Sequence, residues 1–150
     1  MLKLAVFRTL IILLLCGFSW AALAKPPYLE PGVNNYNDML RLLGTPLSKE
    51  VMPDGYNYLY DGVIVNISGP DQATILTVTY LKPNIYNKYL YLDVGSTANR
   101  IKENISDYYE HKEAAYHFIT DYERSVIFWF DKNQRVVKYV QARKGSLKRI

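Results

Sequence analysis

The segment Tyr56-Asn57-Tyr58-Leu59-Tyr60, Asp61-Gly62, Val63-Ile64-Val65-Asn66-Ile67 constrains the fold of this chain more than any other. Two runs of aromatic and β-branched residues flank a two-residue Asp-Gly break, which is the pattern of a β-hairpin. Asp-Gly suits a turn in which both central residues take positive φ. Such a turn sets Tyr60 against Val63, Tyr58 against Val65 and Tyr56 against Ile67 on one side. Leu59 then meets Ile64, and Asn57 meets Asn66, on the other. Each aromatic–β-branched pair contributes about 0.2–1 kcal/mol, so an antiparallel sheet is the element around which the rest must be arranged.

A short helix is expected before the hairpin. Asn34 or Asn35 can cap it, Tyr36, Met39, Leu40 and Leu43 form one apolar stripe, and Gly44 with Pro46 ends it. After the hairpin, residues 74–80 alternate as a third strand, and Lys82-Pro83-Asn84 breaks it. A second helix begins at Ser96 or Thr97, with Ala98, Ile101, Ile105 and Tyr108 or Tyr109 on its apolar face. Strands follow at residues 115–120, 125–130 and 136–141, the last two joined by a loop at 131–134. A displacement of 62 residues sets Asn34 on Ser96, Met39 on Ile101 and Leu43 on Ile105. The expected fold is therefore α+β: two tandem helix-plus-antiparallel-sheet repeats, about 32–81 and 92–142, with the helices on one face of the sheet.

The N-terminus reads as an export signal. Lys3 and Arg8 are the only charges before an apolar run at 10–16, and Ala22-Leu23-Ala24 supplies small residues for cleavage after Ala24. The run falls short of the about 20 apolar residues that a membrane span requires. Cys16 is preceded by the bulky Leu15, so lipid attachment there is not expected. Cleavage of residues 1–24 leaves 126 of 150 residues, 25–150, the size of one domain. Cys16 is the sole cysteine, so the mature chain is disulfide-free although bound for an oxidising, extracytoplasmic compartment, periplasmic or secreted.

Without Lys3 and Arg8 the mature chain has 16 basic and 14 acidic side chains. Lys132, Arg135, Lys138, Arg143, Lys144, Lys148 and Arg149 follow Asp131 with no acid among them. This basic C-terminal strip is expected to be a solvated edge strand and tail; an anionic surface is the alternative partner. Nucleic acid is not an expected partner, and membrane contact is expected only if the N-terminal segment is retained.

Val33-Asn34-Asn35, then Leu43-Gly44-Thr45-Pro46, then a tyrosine-rich hairpin, resembles the SmpA/OmlA repeat of bacterial envelope proteins. Val94-Gly95-Ser96-Thr97 resembles the opening of a second copy. Two copies in tandem would be similar to the β-lactamase inhibitor protein fold. The resemblance implies a non-enzymatic cell-envelope protein that binds other proteins through a sheet face.

The residues themselves offer little for catalysis. His111 and His117 are the only histidines, too few with no cysteine for an ordinary zinc site, and both are expected at the surface. No nucleophile elbow, P-loop or dinucleotide fingerprint occurs. No partner that would tune Asp38, Asp107 or Glu110 is evident, and neither a metal nor a cofactor is expected. Binding character lies in the aromatics, since all 14 tyrosines fall after residue 24. Tyrosine joins a broad apolar ring to a polar tip and suits interfaces. Tyr86, Tyr89, Tyr91 and Trp129 are the candidate partner-binding residues, against the plainer reading of tyrosine as half-buried filler. The expected function is protein–protein interaction; the alternatives are an enzyme inhibitor acting through the loop at 82–88, and a binder of sugar or another small ligand.

Overall fold

The hairpin forms in the expected register, with Tyr60↔Val63, Tyr58↔Val65 and Tyr56↔Ile67 paired. The computed structural model describes residues 28–69, 74–83 and 92–149. Of the two turn residues only Gly62 takes positive φ, 79°, so the turn is not the type in which Asp61 would do so as well. The elements in chain order are α1 (Tyr36–Leu43), β1 (Ser48–Met52), β2 (Gly55–Tyr60), β3 (Val63–Ser68), β4 (Ile75–Tyr80), α2 (Ala98–Asn104), β5 (Tyr108–Lys112), β6 (His117–Asp121), β7 (Val126–Phe130) and β8 (Val136–Ala142).

The expected α+β architecture of two helix-plus-sheet repeats is corrected by the sheet. All eight strands form one antiparallel sheet in the order β1-β2-β3-β4-β8-β7-β6-β5. Strand β4 pairs directly with β8, from Thr77↔Ala142 to Tyr80↔Tyr139, so no boundary divides the ladder. The helices contribute only eight and seven residues. Among the described residues the fold is β-rich, a single sheet with two short helices laid on it.

Local chemistry explains where each helix begins. The Asn35 side chain accepts hydrogen bonds from the Asn37 and Asp38 amides, and the Asp38 carboxylate accepts one from the Asn35 amide, closing a capping box. Thr97 caps α2 through the Arg100 amide. Both cap residues also bridge to the residue preceding a central strand, Asn35 to Thr74 and Thr97 to Arg135. Gly32 N–H donates to the Ile75 carbonyl at 2.8 Å, and Gly95 N–H donates to the Val136 carbonyl at 2.7 Å. The lead-in to each helix is thereby fastened to the start of β4 or β8.

Both helices lie on the same face. Tyr36 of α1 packs its ring 5.2 Å from that of Tyr58, and Lys102 of α2 reaches Glu110. The paired residues Tyr60, Val63, Tyr80, Tyr139, Phe128, Ile119 and Glu110 run as a row across this face. Met39 and Ile101 press onto it without solvent exposure, each contributing about 1.5–3 kcal/mol by burial.

Two further expectations are corrected here. Helix α2 stops at Asn104, because Ile105 turns to extended backbone while its side chain stays in the core. Tyr108 and Tyr109 therefore belong to β5 rather than to the helix. The basic strip at 132–149 does not form an edge strand, since β8 lies between β4 and β7.

Candidate functional site

The alternation of each strand places a second set of side chains on the face opposite the helices. Across β5 to β8 the pairs His111↔Phe118, Phe118↔Trp129 and Trp129↔Lys138 carry one row over four strands. Tyr109 stands beside it, opposite Thr120. Centroid separations are 4.9 Å for His111–Phe118, 6.4 Å for Tyr109–Phe118 and 6.2 Å for Phe118–Trp129. The Lys138 ammonium closes the row, 4.7 Å above the Trp129 ring, a cation–π contact of about 0.5–1 kcal/mol at such partly exposed sites.

None of Tyr109, His111, Phe118, Trp129 and Lys138 is fully buried, and Tyr109 is 44% exposed. The neighbouring row, which starts with Tyr109 and Thr120, continues towards β3 as Ile127, Val140, Thr79 and Ile64, these last four half-buried. This apolar face has its interior side chains partly shielded by one another rather than by a helix. At its β5–β8 end Lys138 supplies a cation, and the His111 ring lies 3.3 Å from the Glu113 carboxylate.

On the helix face a polar cluster sits under α2. The His117 Nε2 is 2.9 Å from Glu110, whose carboxylate also accepts from the Lys102 ammonium at 3.3 Å. Burial pushes the Glu110 pKa up, but the hydrogen bonds from His117 and Lys102 and their charges outweigh it and hold it below the usual value. His117 is 7% exposed and stacks on Phe130 at 4.6 Å, so the expected surface position of this histidine is corrected. Its Nδ1 is buried with no hydrogen-bond partner. A depression of about 520 Å³ beside it is lined by Tyr116, Phe130, Lys132 and Gln134, among others. Asp38 also has tuning partners, contrary to expectation. The Asn35 amide, the Asn34 side chain and Arg41 together lower its pKa.

Of the residues singled out from sequence, Trp129 stands in the aromatic row, with its neighbours Phe128 and Phe130 turned into the core. Tyr86, Tyr89 and Tyr91 lie outside the described residues, as do Ala22 and Ala24 of the cleavage site and positions 84–88 of the candidate inhibitory loop. Tyr109, His111, Phe118 and Lys138 were not singled out as binding residues. Their grouping depends on pairing between β5, β6, β7 and β8, which no local pattern reveals. Among the described residues no cluster of three or more His, Cys, Asp or Glu side chains is placed to hold a metal ion. No helix among them is long and apolar enough to cross a membrane.

No protein-family model matches the chain, and no curated protein matches it. Among solved structures it is similar in fold to an extracellular protein containing a SCP domain from Bacillus anthracis str. Ames, with a TM-score of 0.56 at 10% identity. The match covers 79% of this chain and 45% of that one, so this chain spans less than half of that protein's length. The similarity is one of fold.

Proposed function

We propose that this protein is an exported, non-enzymatic binding module that engages a protein partner through the sheet face turned away from its helices. The observation that carries the reading is the row His111, Phe118, Trp129 and Lys138 on that face, with Tyr109 beside it. Tryptophan and tyrosine are among the residue types that dominate binding energy at protein interfaces. The rings favour a protein over a flat sugar surface, because Phe118 is tilted 38° from Trp129 and 54° from Tyr109. An extracytoplasmic location, periplasmic or secreted, fits the leader-like residues 1–24 and a fold shared with a protein described as extracellular. The resemblance to SmpA/OmlA envelope proteins points the same way.

The test is a crosslinked pull-down from native cells with the full chain carrying a C-terminal tag, repeated with Phe118→Ala and Trp129→Ala. One stoichiometric protein, lost from both variants, supports the reading. A partner retained by both variants refutes the face, and binding to glycans with no protein partner refutes the class.

A further inference from the structure

We propose that β5 is a pairing edge through which two copies of this chain join their sheets, antiparallel and centred on Glu110. The proposal goes beyond partner binding and does not rest on it. Strand β5 ends the sheet, and among the described residues no strand lies outside it. Hydrogen bonds at its two ends fix which main-chain groups face outwards. Tyr122 N–H donates to the Asp107 carbonyl, and Glu113 and Tyr116 exchange both of their bonds. Antiparallel pairs alternate between bonded and non-bonded positions, so Tyr109 and His111 spend their main-chain groups on β6. Tyr108, Glu110 and Lys112 then present theirs to the outside. Natural edges are commonly blunted by proline, bulges or charge. Strand β5 has neither proline nor bulge, and its pairing with β6 is continuous from Tyr108 to Lys112.

The side chains suit a second copy of the same strand. Pairing about Glu110 sets Tyr108 against Lys112 of the other copy and Tyr109 against His111, joining aromatic rings to cations and rings to rings. The two Glu110 residues meet at the centre, where like charges alone would repel. Each carboxylate, however, is already held by its own Lys102 and His117, so the centre carries compensated charge. The rows of Tyr109, His111, Phe118 and Trp129 would run on from one copy into the other. The opposite edge, β1, is exposed at every residue and has no half-buried cluster to set a register. Symmetric pairing at β5 uses up that edge in both copies and closes the assembly as a dimer.

The experiment is analytical ultracentrifugation of the full chain carrying Cys16→Ser, over a range of concentrations, alongside Tyr108→Pro. That change deletes an outward N–H while leaving every bond to β6 in place. A dimer that Tyr108→Pro converts to folded monomer is expected. Two cysteine variants test the register independently of that change. Glu110→Cys should crosslink to itself on mild oxidation, because bonded pairs lie about 5.5 Å apart between Cα atoms. Lys112→Cys should not, since it faces Tyr108 of the other copy. A monomer at every concentration, a dimer indifferent to Tyr108→Pro, or crosslinking at 112 but not at 110 would each overturn the proposal.

Discussion

Tyr80 and Tyr139 stack their rings 4.6 Å apart and 17° from parallel at the seam where β4 meets β8. This contact sits at the centre of the one-sheet architecture. Both rings are almost wholly shielded, at 2% and 0% exposure, and the Tyr139 hydroxyl has no hydrogen-bond partner. Burial pushes both phenols well above their ordinary pKa, so both remain neutral through the physiological range.

An orphaned hydroxyl costs stability, whereas the ring beneath it supplies packing. Tyr139→Phe is therefore expected to be as stable as the parent or up to about 1 kcal/mol more so. Tyr139→Ala should lose about 3–5 kcal/mol through the cavity it opens. Urea unfolding of both variants checks this; a Tyr139→Phe variant well below the parent would show that the hydroxyl has a partner.

Gly55 opens β2 with φ of 151°, and a Cβ there would collide with the Ile67 carbonyl oxygen, a main-chain atom. The oxygen cannot withdraw without disturbing the β2–β3 ladder. Gly55→Ala should cost at least about 1–3 kcal/mol from the strained backbone alone. Thermal unfolding measures it, and an unchanged midpoint would contradict the placement of this residue.

The hairpin containing these residues was the part of the fold most legible in the sequence, because Asp61-Gly62 and the alternation around it are local. The two caps were legible for the same reason. Strand β1 was not: Ser48–Met52 is exposed throughout and so carries no apolar alternation. Tyr108 and Tyr109 fall at helical spacing from Ile101 and Ile105, and only pairing with β6 draws them into a strand. The fusion of the strands into one sheet depends on β4 meeting β8 across some sixty residues, which periodicity cannot express. The candidate face fared likewise. Trp129 stood out by residue type, but Phe118, His111 and Lys138 join it only through the same long-range register.

The lowered pKa of Glu110 ties stability to pH. Between its folded and unfolded values the unfolded chain binds more protons, so stability rises with pH there. The contribution of Glu110 is complete above the ordinary carboxylate value and is lost as pH falls through the lower, folded one. Glu110→Gln should flatten that part of the acid limb and weaken the fold at neutral pH. Unfolding free energies measured from pH 7 downwards decide it; parallel curves for parent and variant would deny the His117 and Lys102 contacts.

Phe118 and Trp129 are only half-buried, so truncating either is expected to cost less than Tyr139→Ala. Binding should respond in the opposite order, with Phe118→Ala and Trp129→Ala impaired and Tyr139→Phe unaffected. Paired stability and pull-down measurements separate the two effects. Loss of binding only in proportion to loss of fold would argue against a dedicated face.

The most direct measurement is a photocrosslinking scan in native cells, with a photoreactive side chain placed in turn at 118, 129 and 138 on the open face and at 41 and 100 on the helices. A discrete protein adduct from the first three positions and none from the last two is the expected result. Adducts confined to 41 and 100, or none from any position, would contradict a partner on the open sheet face.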